Sequence, residues 1–206
     1  MRPFIVIALI ASVVALASCE EETFAGIPIT QLPEPGNEPA MARYIVNNAN
    51  WTAYGYVSTK CGSPAGCPAN AVFATSDGKV GCGNGTPYFW ASRHHPSVVE
   101  LLDKDPRGAL AFTLAQTNVC KERGWDPQDP RCAHIIVYGN FTALNEKDPE
   151  YNTAKQALLT RHPQFSYYPP GHQFFYAKYK ITSISIINKF GGPTNVDVNK
   201  YYQVKC

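Results

Sequence analysis

Two stretches, GALAFTLAQ (108–116) and AHIIVYGNFTAL (133–144), decide the fold class of this chain. Each is short, apolar and bounded by turn formers, and the second is rich in β-branched and aromatic residues, which is the pattern of a strand. Between them runs TNVCKERGWDPQDPRC (117–132), rich in proline and charge and flanked by Cys120 and Cys132. Pairing these two cysteines would close a short loop, worth about 3 kcal/mol on a chain-entropy estimate. A metal reading would join Cys132 to His134, but no four-ligand spacing surrounds them. The spacing therefore predicts two strands joined by a disulfide-closed loop and no metal.

Working outward, Trp51–Thr59, Ala71–Thr75 and Pro87–Ser92 read as further strands. Asp77-Gly78 reads as a turn, and Gly81-Cys82-Gly83-Asn84-Gly85 as a hairpin loop. Cys61–Pro68 is turn-rich and could be tied across itself or to Cys82. Phe174–Phe190 reads as two strands, because Ile181, Thr182, Ile184, Ile186 and Ile187 suit a pleated surface better than a helix. Gly191-Gly192-Pro193 stops it. Helices are fewer. Asn37 caps one with Pro39 in its first turn, and Met41, Ile45 and Ala49 share its face. Ser97–Leu102 is a short one, ended by Asp105-Pro106. Asp148-Pro149 starts a third, with Ala154, Leu158 and Arg161 on one side and His162-Pro163 at its end. Six or so strands with two or three helices predict an α+β fold: a closed or partly closed β-barrel with helices packed outside.

Composition agrees. Of 206 residues, 45% are hydrophobic and 17% charged, against roughly 25% charged in an average globular chain. That excludes a disordered tail or a coiled coil. Eighteen Lys and Arg against 16 Asp and Glu give a net charge of +2, so no basic footprint for nucleic acid is expected.

The N-terminus reads as an address. Arg2 precedes an apolar run from Phe4 to Ala17, Ala15-Leu16-Ala17 is a small-x-small cleavage site, and Glu20-Glu21-Glu22 ends the run. This predicts a signal peptide over 1–17, an extended lead over 18–36 and one domain over 37–206. A span of roughly 20 apolar residues is needed to cross a bilayer, so no stable membrane span is expected. A retained anchor, and a lipidation site at Leu16-Ala17-Ser18-Cys19, stay open as rivals. Seven cysteines, at 19, 61, 67, 82, 120, 132 and 206, fit an oxidising compartment. Three N-x-[ST] sequons, at Asn50, Asn84 and Asn140, are acceptors for N-glycans in a eukaryotic host. Asn50 abuts a strand and is the least accessible by this reading.

Several separated motifs occur in a recognisable order. TLAQTNVC (113–120), WDPQ (125–128) and CAHI (132–135) are followed by RHP (161–163), FFYAK (174–178), FGGP (190–193) and YY (201–202). The series resembles the CREG family, secreted "cellular repressor" glycoproteins, over about residues 42–202. The resemblance implies a split β-barrel related to pyridoxamine-phosphate-oxidase-like flavoproteins. It also implies a homodimer, residence outside the cell or in the endolysosomal system, and uptake by a mannose 6-phosphate receptor that reads N-glycans. Cys61, Cys67 and Cys82 are not part of the pattern.

The related flavoproteins seat an FMN phosphate with Arg, Lys and Ser/Thr donors, as a buried phosphate requires. Aligned on Asp105-Pro106, the lysine position falls near Val98 and the serine position near Pro96, neither of which donates. Arg93, His94 and His95 are the nearest substitutes, and Ser92, Arg93 and Gln116 are the pocket candidates if FMN binds. The family is understood to lack the flavin, and no cofactor is expected. His94 and His95, read as strand neighbours, would face opposite ways, one packed and one exposed. His134 reads as a core or interface residue, and His162 and His172 as turn or cap residues. Gln116, Thr117 and Asn118 would satisfy loop backbone groups or line a residual pocket. No G-x-S-x-G motif marks a hydrolase. The expectation is a secreted or endolysosomal glycoprotein that acts by binding, in growth restraint or differentiation, with an FMN- or haem-binding oxidoreductase as the alternative.

Overall fold

The computed structural model describes residues 32–34, 36–56, 71–79 and 81–204. The expected signal peptide, the Cys61–Pro68 loop, the end of the first strand and Cys19, Cys61, Cys67 and Cys206 lie outside them, as does the side chain of Cys82.

Six strands close into an antiparallel barrel: β1 (Trp51–Tyr56), β2 (Ala71–Lys79), β3 (Cys82–Ser92), β4 (Arg107–Thr113), β5 (His134–Ala143) and β6 (Phe174–Ile187). Their order is β3-β2-β1-β4-β5-β6, and β6 returns to pair with β3 from Tyr88↔Lys178 to Ser92↔Phe174. A short β7 (Thr194–Val196) adds to the end of β6. The expected α+β barrel with flanking helices is the fold found. The strands expected within 108–116 and 133–144 form and alternate, with Leu110, Phe112, Ile135 and Val137 fully buried and their neighbours facing out.

Phe174–Ile187 is one strand of 14 residues and not two. The irregularity is a bulge within it: Tyr138 pairs with Ser183 and Gly139 with Ile181, so Thr182 is the extra residue. β6 thus serves β3 with Phe174–Lys178, β5 from Ala177 to Ile187 and β7 with Ile184–Ile186. Gly139 is required there, because a Cβ would lie 2.1 Å from the Lys180 carbonyl oxygen.

Asp77-Gly78 does not form a turn. Both residues lie in β2, where the β2–β3 register shifts, and Gly78 pairs with Gly83. The Gly-rich stretch is correspondingly the start of β3, and the connection between the strands is only Val80-Gly81. The strand expected to run to Gln116 ends at Thr113. Thr113 Oγ1 accepts from Ala115 N (3.1 Å), and Leu114–Gln116 curls into a 3-10 turn.

Helix α1 (Glu38–Asn48) begins where expected, with Asn37 Oδ1 accepting from Ala40 N. It lies across the barrel and touches every strand from β2 to β7. Helix α2 (Pro96–Asp103) follows β3, and α3 (Asn118–Glu122) lies inside the loop that the Cys120–Cys132 disulfide closes. Helix α4 (Tyr151–Arg161) starts later than Asp148 and without a side-chain cap. Asp148 instead closes the turn before it, its Oδ2 accepting from Asn145 N (2.6 Å). Ala154, Ala157 and Leu158 pack α4 on the outside of the barrel, over Tyr88 and Tyr176. Helix α5 (Val198–Gln203), which the sequence pattern did not suggest, is capped by Asp197 and returns to α1.

One buried polar group joins these parts. Asp77 is 1% exposed. Its carboxylate accepts from Asn47 Nδ2 (2.7 Å) and from Gly85 N (3.1 Å), and Arg43 Nε lies 3.8 Å away. Arg43 also donates to the Gly83 and Tyr201 carbonyls, and Tyr201 OH donates to Gly85 O (2.7 Å). Gly85 has φ +82° and leaves the space that Arg43 Nη1 occupies, 2.0 Å from where a Cβ would stand. From the other side, Arg161 of α4 donates to Asn47 O (2.6 Å), Ala49 O (3.1 Å) and Gly78 O (3.3 Å).

Two stability changes follow. Asp77→Ala leaves the buried Arg43 without its carboxylate, and the expected loss is about 3–5 kcal/mol, read as a lower midpoint in urea unfolding. An unchanged midpoint would mean that Arg43 finds other partners. Replacing Cys120 and Cys132 together by serine should cost about 3 kcal/mol on the chain-entropy estimate, and the same titration under oxidising conditions reads it.

Candidate functional site

The residues that a flavin-type site would use lie where β3 leaves the barrel. Ser92 is the last residue of β3. Its Oγ donates to His172 O (2.6 Å) and accepts from His94 N (3.1 Å), while its carbonyl accepts from His95 N (3.0 Å). These bonds turn the chain at 93–95, so His94 and His95 are not strand neighbours, and both are exposed. His95 caps α2, its Nδ1 accepting from Ser97 N (3.2 Å). His94 Nε2 lies 3.4 Å from Gly171 O. The Arg93 guanidinium sits 5.6 Å from the centre of the Phe175 ring, a cation–π contact.

The facing turn is strained. Gln173 has φ +50°, the left-handed region, and its carbonyl accepts from Arg93 N (3.4 Å). Below it Trp90 is packed among Phe165 (ring centres 4.5 Å apart), Phe174 (4.8 Å) and Tyr168 (5.5 Å). This aromatic pile fixes the outer wall of the barrel at that corner.

Gln116 is not brought to this corner. Its Oε1 accepts from Asn50 N and Trp51 N (3.2 Å each) and its Nε2 donates to Trp51 O (2.8 Å). It clamps the start of β1 to the 3-10 turn. Thr117 behaves alike, donating to Leu114 O (2.7 Å) and accepting from Val119 N (3.3 Å). The fit to a flavin phosphate is poor on the donors present. Val98, at the lysine position, is fully buried and apolar. Pro96 has no donor, and the Ser92 hydroxyl is committed to a backbone carbonyl.

The family model described as "CREG, beta-barrel" matches residues 33–203. The chain belongs to this family. Among its relatives, human Protein CREG1 is 41% identical over 174 residues, which cover 84% of this chain and 77% of that one. Among solved structures, a heme binding protein from Mycobacterium smegmatis superposes with a TM-score of 0.62 at 17% identity. The match covers 84% of this chain and 62% of that one. A Clostridium acetobutylicum protein of the pyridoxinephosphate oxidase family gives 0.51 at 14% identity, over 80% of this chain and 96% of that one. At these identities the likeness shows the split-barrel fold alone.

Within this CREG barrel the three sequons differ in setting. Asn84 is exposed on β3. Its Oδ1 accepts from Thr86 N (2.8 Å) and its Nδ2 donates to Tyr88 OH (2.8 Å). Burial pushes the Tyr88 hydroxyl up to about 12, so it stays a neutral partner. Asn50 and Asn140 are half-buried. Asn50 joins α1 to β1, and Asn140 lies within β5 between Arg107 and Lys180.

Sequence reasoning missed the buried group around Asp77 because an Asp-Gly pair carries the signature of a turn. It also gave His162 only a turn role. His162 does end α4, but it is 4% exposed and its Nε2 donates to Thr75 O (3.0 Å). Burial lowers its pKa from 6.5, the Thr75 carbonyl opposes that shift, and the neighbouring Arg161 adds to it. The folded state thus prefers neutral imidazole, and the contribution is lost as pH falls below 6.5 towards the folded value. Asp77 works in the opposite sense. Burial raises its carboxyl above 3.8, so its protonation favours the fold as pH falls. His162→Gln should therefore reduce the loss of stability between pH 7 and pH 5, measured as the shift in thermal midpoint. A wild type and variant with parallel pH profiles would rule out His162 as a source of that loss.

Proposed function

We propose that this chain is a secreted or endolysosomal glycoprotein of CREG type that acts by binding and without catalysis, as a homodimer, in growth restraint or differentiation. The observation that carries the non-catalytic reading is the corner at Ser92. The hydroxyl, imidazole and guanidinium groups that could meet a phosphate there are held by the 171–173 turn or by Phe175, and Val98 stands buried where a lysine would be needed. A hydroxyl or imidazole that satisfies its own backbone is not free for a buried anion, which leaves the Arg93 guanidinium, stacked on Phe175, without the Ser and Lys donors that a flavin phosphate needs beside it.

The secretory reading is supported by the N-terminal apolar run, the sequons and the Cys120–Cys132 disulfide. On this reading the barrel is a scaffold, and glycans at Asn84, Asn50 and Asn140 are what a mannose 6-phosphate receptor reads. Asn84 has the most open setting of the three. Replacing all three asparagines by glutamine in protein secreted from a eukaryotic host should abolish receptor capture and leave the unfolding midpoint unchanged. Capture at the wild-type level would overturn the glycan route.

A flavin or haem oxidoreductase is the second reading, favoured by the fold shared with the heme binding protein from Mycobacterium smegmatis. The visible spectrum of natively purified protein, before and after incubation with FMN or haemin and gel filtration, separates the two. The expected result is no retained chromophore. A retained flavin or Soret band would restore the oxidoreductase.

A further inference from the structure

The disulfide-closed loop forms one wall of a cleft that neither the barrel corner nor the sequons explain. It lies between the lead at Leu32-Pro33, the start of α1, the loop after α3 and the end of β6, and has a volume of about 610 Å3. Pockets for small organic ligands run roughly from 300 to 1,000 Å3. Met41 and Ala133, both buried, form its apolar side with Trp125. Trp125 is set by the loop, its backbone N–H donating to Cys120 O (2.8 Å).

The charges around Trp125 are unequal in their commitments. The guanidinium carbons of Arg123 and Arg131 lie 5.0 and 5.4 Å from the centre of its ring. Arg131 is already engaged by Asp129 (2.6 Å), and Lys189 on the opposite rim reaches Glu38 (3.4 Å). Arg123 makes no ion pair among the described residues. Glu34 is the acid in the lining.

One polar atom makes this cleft unlike ordinary surface. Asn188 lines it, and its Oδ1 is buried with no hydrogen-bond donor. Among the described residues only three buried side-chain polar atoms lack a partner, and Asn188 Oδ1 is the one whose residue lines this cleft. Such a group costs about 1–3 kcal/mol when left unmade, so native structures rarely retain one unless something else supplies the bond.

We propose that this cleft binds an amphiphilic organic anion. An apolar body rests on Met41 and Trp125, a carboxylate, sulfonate or phosphate group faces Arg123, and an N–H or O–H of the ligand donates to Asn188 Oδ1. Glu34 on the rim favours one negative charge over two. This site is separate from the glycan-borne recognition above and does not depend on it.

The probe is 8-anilinonaphthalene-1-sulfonate, which has an apolar ring system, one sulfonate and one N–H. Fluorescence titration of the full-length folded protein should give saturable binding at one site. Arg123→Glu, on the exposed loop, should weaken it at least tenfold, and Asn188→Leu several-fold, with thermal midpoints within a few degrees of wild type. Lys155→Glu, on the far face of α4, should leave it unchanged. The uncharged N-phenyl-1-naphthylamine should bind at least tenfold more weakly. Absence of saturable binding, wild-type affinity in Arg123→Glu, or equal affinity for the uncharged probe would overturn the proposal. The last of these would mark the cleft as apolar surface alone.

Discussion

A carboxylate shut away from water cannot stand alone, and the arrangement of this molecule around Asp77 follows from that constraint. The strand β2 carries Asp77 to the inner side of the β2–β3 hairpin, under α1. Asn47 and Arg43 come down from α1, the Gly85 amide comes across from β3, and the Tyr201 carbonyl comes from α5. Two helices distant in sequence, α1 and α5, are thereby fixed to one hairpin. The hairpin in turn sets the register of β3, the strand that must meet β6 to close the barrel. The glycines near it are part of the same solution. Gly83 and Gly85 leave the volume that the Asp77 carboxylate and the Arg43 guanidinium fill.

Closure places a second demand on β6. One strand has to pair with β5, β3 and β7, which meet it along different stretches. The shift at Tyr138/Gly139 absorbs the difference, and its close approach to Lys180 admits no side chain. The outer layer then follows: α4 covers the β2–β3–β6 face, and Arg161 and His162 at its end reach back to the carbonyls around β2. The barrel corner at Ser92 is sealed by the same logic of satisfying backbone groups locally. A fold shared with a heme binding protein and a protein of the pyridoxinephosphate oxidase family thus presents, in this chain, a corner whose Ser92 hydroxyl is spent on its own loop.

The Cys120–Cys132 loop has a different character. It is closed by a covalent bond, so Trp125 and its two arginines are held in place without being buried in the core. Preorganised side chains at the edge of an apolar cleft lose little freedom on meeting a ligand. The loop is therefore better suited to recognition than the barrel interior, which Phe89, Phe112, Phe141 and Tyr179 fill.

Read by itself, the sequence determined the elements whose signals are local. The apolar runs at 108–116 and 133–144 gave two central strands to within a few residues, Asn37 with Pro39 gave the start of α1, His162-Pro163 gave the end of α4, and the cysteines at 120 and 132 gave their bridge. The motif series from Thr113 to Tyr202 gave the family. What depends on partners far along the chain was decided only by the tertiary structure. Asp77-Gly78 has the composition of a turn, yet the buried carboxylate needs a continuous strand beneath α1. Phe174–Ile187 has the composition of two strands, yet closure needs one. Gln116 and Ser92 carry groups fit for a ligand, yet backbone atoms 65 and 80 residues away hold them. Local propensity acts over a few residues, whereas the cost of an unpaired buried polar group is met by whichever partner the folded chain brings near.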